Sequence, residues 1–406
     1  MNRVAITGIG VVSPIGQDAE SFGKAIRAGT CGIEALDVDV PEGIEPSRIT
    51  MGAQIKGFDS EAHFPADQLP LFDRTTQFAV MAAREALAKS GLSFAGKLGE
   101  RSAVILGSGF GSAETVDRNF LRLYYQKAKR AHPLTVPRLM MNSPASHISI
   151  AYGIKGPSYM ISSACSAASH AIGAAFQMVR AGMVDAAVTG GAEAPLTLGG
   201  LKAWEALRVT APDRCRPFSR NRLGLSLGEG AGAIVIENYE HARARGARIY
   251  AEIVGASATS DASDMLVPSG DGLCAAMSAC LADAGIPAGE FGYVNAHGTG
   301  TFANDVAETQ AIRSVFGRHA DDILVSSTKS MHGHALGATA ALELVATIIG
   351  LDEGFVPPTV SLDEPDPECD LDYVPDIARE RQVEYALSNS FAFGGHNGVL
   401  ALRRAP

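Results

Sequence analysis

The sequence predicts an α/β protein made of two related halves, and three observations carry that reading. Short apolar runs alternate with helical stretches along all 406 residues. Residues 161–175, "ISSACSAASHAIGAA", align without a gap to 325–339, "VSSTKSMHGHALGAT", with seven of fifteen positions identical at an offset of 164. The composition of 46% apolar residues, 19% charged residues and 44 glycines suits a compact enzyme better than a disordered or fibrous chain.

The elements follow in chain order. "RVAITGIG" is a β-branched run broken by glycines and reads as a strand. "TTQFAVMAAREALAKSG" spaces its apolar residues as a helix does and stops at Gly91. "SAVILGSG" and "GPSYMISS" read as strands, and "SAASHAIGAAFQMVRAG" as an Ala-rich helix. "AAVTGG" and "AGAIVIE" are further strands, followed by the basic helix "YEHARARGAR". After Gly246 the pattern restarts with the helix "GLCAAMSACLADAG" and the strands "YVNAHG", "ILVSST" and "GVLALR". The expected halves are therefore 1–245 and 246–406. "PEGIEPSR" and "VPPTVSLDEPDPECD" read as loops from their prolines and acids.

Charge and motif exclude several classes. A net charge of −10 removes the usual drive for binding a phosphate backbone, so no nucleic-acid partner is expected. No run approaches the roughly 18 apolar residues of a membrane span, and the opening segment lacks the features of a secretory signal, so a cytoplasmic protein is expected. The cysteines at 31, 165, 215, 274, 280 and 369 form no CxxC, which fits reduced thiols and predicts no disulfide framework. His332 and His334 alone are too few for zinc, and no metal is expected. In "TGIGVVSPIG" the third glycine falls six residues after the second, not three, so a dinucleotide turn is not expected.

Cys165 is the first candidate for chemistry. A free cysteine is often an inert core filler, but this one sits where a strand passes into a helix. Helix dipoles and free N–H groups stabilise a thiolate there. The gapless repeat pairs Cys165 with Lys329 and His170 with His334, which would gather chemistry from both halves in one cleft. His297 in "NAHGTGT" ends a strand, the edge at which α/β folds collect function. His170 reads as a packing or helix-bonding residue.

Taken together, "SSACSAASHAIG", "NAHGTGTFANDVAE", "SSTKSMHGHALGATAALE" and "NSFAFGGHNGVLALR" resemble the signature blocks of the β-ketoacyl-acyl-carrier-protein synthases. The resemblance runs along essentially the whole chain. It is nearest the elongating synthase II class, including its nodulation protein E branch. It implies the thiolase fold, five layers α-β-α-β-α with two pseudo-symmetric halves, and a dimer. It also implies decarboxylative condensation of a malonyl thioester with an acyl chain held on Cys165. No catalytic cofactor is implied, since the substrates ride on the phosphopantetheine of an acyl carrier protein.

The same resemblance supplies roles. His297 and His334 would drive decarboxylation, and Lys329 and Glu343 would organise the site's charge. Backbone N–H groups of Cys165 and Phe393 would form the oxyanion hole, with Phe391 and Phe393 in a gating loop. Thr299 and Thr301 would line the pantetheine tunnel and Phe110 the floor of the acyl pocket. Leu266 stands where many members have a tunnel threonine, and His332 and His396 replace commoner threonines. Where the family has a basic docking helix this chain has "FPADQLPLFDR", nearly without positive charge, so by charge the stretch with Lys127, Lys129, Arg130 and Arg138 is the candidate to dock the acidic carrier. The partner is expected to be a second copy or a chain-length-factor-like subunit. Two other readings are a pocket-shaping partner subunit, against which retention of Cys165 argues, and a thiolase acting on coenzyme A esters.

Overall fold

The computed structural model describes residues 1–405. Ten strands form the main sheet: β1 (Val4–Val12), β2 (Ser102–Gly107), β3 (Ser158–Ile161), β4 (Ala186–Glu193), β5 (Gly230–Asn238), β6 (Ala251–Ser260), β7 (Phe291–Asn295), β8 (Leu324–Ser326), β9 (Tyr385–Ala392) and β10 (His396–Arg404). Their spatial order, β8-β7-β9-β10-β6-β1-β5-β4-β2-β3, is a mirror about its centre in which each strand of the first five matches the strand five later. The pairing types mirror as well. β2 runs parallel to β3 and β4, as β7 does to β8 and β9, while β5 and β10 are each antiparallel to both neighbours. Among the described residues only three pairs, Val4–Ile6 against Ala251–Ile253, join the two five-stranded sheets.

Helices complete five layers. α1 (Arg74–Ser90) covers β1, β4 and β5 on one outside, while α4 (Gly270–Ala284) covers β6 and β10 on the other and packs against α5 (Phe302–Phe316). Between the sheets lie α2 (Ala167–Arg180) and α6 (Thr339–Glu353), each touching strands of both halves. Every residue of α6 from Thr339 to Leu351 is buried, as an internal helix requires. Strand alternation feeds two cores from one strand: Ala103 and Ile105 of β2 enter the central core, and Val104 and Leu106 the outer one. In β10, Leu400 and Leu402 face the centre, with Val399 and Ala401 facing α4. The expected thiolase fold is what the chain adopts.

One equivalence read from the repeat is overturned. In both halves a one-turn 3-10 segment leads into the central helix, Ala164–Ser166 before α2 and Leu336–Ala338 before α6. Each opens on a left-handed residue, Ala164 at φ 50° and Leu336 at φ 44°. These turns are 172 residues apart, eight more than the gapless alignment, although the preceding strands end at Ile161 and Ser326, close to its offset. The extra residues form a short helix, Lys329–His332, and a bridge between His334 and Leu227. Cys165 is therefore the counterpart of Gly337, not of Lys329. His170 lies inside α2, whereas His334 precedes the turn before α6. The alignment slipped because the small residues of "HAIGAA" suit a helix packing face and those of "HALGAT" a tight turn.

Candidate active site

The position of Cys165 is built by a strained turn. Ala164 carries a conformation that few residues other than glycine adopt, and its single methyl limits the cost. That turn delivers Cys165 to the start of α2, where its side chain is 7% exposed at the wall of a pocket of about 150 Å³. Burial opposes the expected thiolate in this resting site. Burial pushes the Cys165 thiol up to about 12, outweighing the nearby Lys329 charge that favours ionisation, while Glu193 adds to the rise. Neither the Cys165 nor the Phe393 N–H donates to a backbone carbonyl among the described residues.

His297 follows β7 and is fixed through its backbone and its ring. Glu308 of α5 accepts from the N–H groups of His297 and Gly298, each at 2.8 Å, and from Asn389 at 3.1 Å. Lys329, 1% exposed, donates to the His297 carbonyl and to Glu343, and its Nζ lies 3.3 Å from His297 Nδ1. An ammonium can only donate, so Nδ1 accepts and the ring proton sits on Nε2. Burial, the Lys329 charge and His334 together hold His297 well below the ordinary imidazole range. Burial pushes the Glu343 carboxyl up, and Lys329 pulls it back.

His334 reaches the same pocket from the other half. Its backbone N–H donates to Ser226 and its carbonyl accepts from Gly228 at 2.9 Å, while Nδ1 lies 2.9 Å from the Thr339 hydroxyl at the start of α6. With that hydroxyl donating, Nε2 again carries the proton. Burial and the Lys329 charge keep this ring neutral too. The two imidazoles stand edge to face at 5.6 Å, and both line the pocket with Cys165. Two neutral N–H donors beside a buried thiol suit a reaction in which negative charge develops on a carbonyl oxygen. His332 is different: Thr328 and the Gly333 carbonyl occupy its ring, and burial lowers it to about 3.

The expected gate and tunnel residues gather here. Phe391 lies 6.0 Å from the His297 ring, and Phe393 stacks on Trp204 of α3 (Leu198–Leu207). Gly394 at φ 82° and Gly395 at φ 68° supply the left-handed turn that closes this hairpin. Thr299 and Thr301 line the pocket but bond each other at 2.9 Å, and Leu266 lines it beside exposed Met265 and Val267. His396 is exposed in the hairpin beyond the gate and does not line the pocket.

Phe110 is not brought to this pocket. It is 43% exposed and absent from the lining, since its loop is turned by Glu193, which accepts from the N–H groups of Gly109, Phe110 and Gly111. Lys127, Lys129 and Arg130 are exposed on an irregular segment, with Arg138 half-buried beyond it. No group of three His, Cys, Asp or Glu side chains among the described residues is placed to hold a metal ion. No helix among them is long and apolar enough to cross a membrane.

Sequence reasoning missed three buried carboxylates. Glu193 also accepts from Gly337 at 3.0 Å, tying the loop of Phe110 to the turn equivalent to that of Cys165. Asp305 accepts from Gly300 and Phe218, and with Glu308 it holds the segment from His297 to Thr301. The spacing "NDVAE", with its acids on one face of α5, was the available signal for the last two.

Residues 1–242 match the model of the beta-ketoacyl synthase N-terminal domain and residues 250–363 that of its C-terminal domain. The chain is 47% identical over 402 residues to Nodulation protein E of Rhizobium sp. (strain N33), covering 99% of both. It is 40% identical over 410 residues to 3-oxoacyl-[acyl-carrier-protein] synthase 2 of Staphylococcus aureus (strain N315), covering 99% of this chain and 98% of the other. Among solved structures it superposes on the ishigamide ketosynthase/chain length factor with a TM-score of 0.94 at 34% identity, covering all of both chains.

Proposed function

Because the chain belongs to the β-ketoacyl synthase family, we propose that Cys165, His297 and His334 perform the condensation between them. The chain is an acyltransferase, a 3-oxoacyl-[acyl-carrier-protein] synthase that extends an acyl chain by two carbons through decarboxylative Claisen condensation. The observation that carries the assignment of roles is the convergence of two neutral, Nδ1-bonded histidines on the pocket of Cys165.

In the first half-reaction Cys165 attacks the acyl thioester of the carrier's arm. The N–H groups of Cys165 and Phe393 hold the tetrahedral oxyanion, and the thiol proton leaves with the arm's sulfur. In the second, a malonyl thioester loses CO2, and the electrons of the broken C–C bond pass to the thioester oxygen. Nε2–H of His297 and of His334 hold that enolate. Its carbon then attacks the Cys165 thioester, forming the new C–C bond and expelling the thiolate, which takes up a proton from solvent water. Lys329 and Glu343 act as positioning residues that fix His297. Thr299 and Thr301 contact the arm, and Phe391 and Phe393 gate it. Phe110 belongs to the acyl pocket once a partner subunit covers its exposed ring.

The finer features complete the proposal. The site needs no bound cofactor, because each charge it develops has a protein donor. The halves divide near Gly246. The enzyme acts in the cytoplasm as a homodimer or beside a chain-length-factor-like subunit, and the carrier docks on Lys127, Lys129 and Arg130. Mass detection of the acyl adduct on Cys165, followed by CO2 release from malonyl carrier, tests the roles. Failure to form the adduct with any carrier would leave only a pocket-shaping subunit. Thioester cleavage with coenzyme A esters and no CO2 would mark a thiolase.

A further inference from the structure

Trp204, the chain's one tryptophan, has a place in the site that neither catalysis nor the tunnel accounts for. It is 6% exposed, lines the pocket with Cys165, and stacks its indole on Phe393 at 6.1 Å and 24°. Its Nε1–H has no acceptor among the described residues. It packs in an apolar cluster with Ile49, Leu196, Leu201, Leu225, Leu227 and Leu336, none of which can accept a hydrogen bond. An indole N–H placed in such surroundings normally finds a partner, and this one lies against the loop that must move.

We propose that Trp204 is a latch and a substrate-binding residue. Its ring holds Phe393 in the closed loop, and its N–H donates to a carbonyl oxygen of the carrier-borne substrate once the loop opens. The carbonyl belongs either to an amide of the carrier's arm or to the acyl chain itself. The proposal rests on the gating role given to Phe393, so its test separates the two.

Three variants, Trp204→Phe, Trp204→Ala and Phe393→Ala, are compared in two assays. In the first, resting enzyme is alkylated at Cys165 with iodoacetamide. Phe393→Ala and Trp204→Ala, which lose the latch, react several-fold faster than wild type, and Trp204→Phe, which keeps a stacking ring, does not. An unchanged rate for Phe393→Ala would refute the gating role. Acceleration by Phe393→Ala without acceleration by Trp204→Ala would refute the latch alone.

In the second assay, KM for acyl carrier rises about five-fold in Trp204→Phe, the loss of one hydrogen bond, and by more than kcat falls. An acyl thioester of a simple alkyl thiol, which lacks the arm's amides, locates the acceptor. A penalty that persists with it places the carbonyl on the acyl chain, and one that vanishes places it on the arm. No penalty with either donor would overturn the binding role.

Discussion

Replacing Lys329 by methionine tests how this site holds a charge in its core. Lys329 and Glu343 are each 1% exposed in their side chains, and Lys329 alone compensates the Glu343 carboxyl. Removing one partner of a buried pair costs about 3–5 kcal/mol, because the other is left uncompensated. At roughly 2.1 cal/mol/K of unfolding entropy per residue, a chain of 406 residues loses about 0.85 kcal/mol per degree, so the apparent Tm should fall by about 4–6 °C. Lys329→Met with Glu343→Leu removes the stranded carboxyl and should recover about half of that loss. The His297 carbonyl, which also accepts from Lys329, stays without its donor. Activity should not recover. Without the ammonium, nothing obliges the His297 proton to sit on Nε2, and decarboxylation should remain down by about 10²-fold in both variants. Calorimetry and CO2 release from malonyl carrier measure the two effects. Wild-type decarboxylation by either variant would refute the tautomer argument, and an unrecovered Tm in the double variant would refute the desolvation argument.

Other outcomes follow from the same geometry. His297→Ala or His334→Ala should leave Cys165 open to acylation while lowering malonyl decarboxylation by about 10²–10³-fold, as the loss of an oxyanion donor does; mass spectrometry and CO2 release separate these. With its thiol near 12, resting Cys165 should react with iodoacetamide about tenfold faster per pH unit from pH 8 to 10, and a plateau below pH 9 would mean that the helix start does stabilise a thiolate. Burial raises Glu193 to about 7 against the pull of its N–H donors. A raised carboxyl contributes stability that is fully present below about pH 4.5 and lost as pH rises to about 7. The stability of wild type relative to Glu193→Gln should therefore fall by on the order of 3 kcal/mol across that window, and parallel denaturation curves at pH 5 and 7.5 would contradict it. The buried histidines act oppositely in wild type and variant alike, since lowered imidazoles lose stability as pH falls below about 6.5, so the comparison cancels them. Charge reversal at Lys129 and Arg130 should slow acyl transfer from carrier by about tenfold at low salt, with the gap closing as salt is added; equal rates at every salt concentration would remove those residues from the docking surface.

The sequence by itself determined the layered α/β fold, the duplication and the reaction class, and it named the side chains proposed to react. Strand and helix periods are local, and "SSACSAASHAIG" and "NAHGTGT" keep their chemistry in short blocks. What it misplaced was register between the halves. Small residues satisfy a helix face and a tight turn equally well, so only the left-handed turns at Ala164 and Leu336 revealed that Gly337 is the true counterpart of Cys165. Tertiary structure alone decided the electrostatics. A helix start favours a thiolate, but burial at the pocket wall opposes one and pushes the Cys165 thiol up to about 12. The same burial keeps both histidines neutral, and Lys329 assigns the His297 proton from across the gap between two strands' ends. The carboxylates of Glu193 and Glu308 bond to backbone N–H groups as far as 144 residues away. Such partners are set by which loops the layers bring together, and no local pattern in the chain records them.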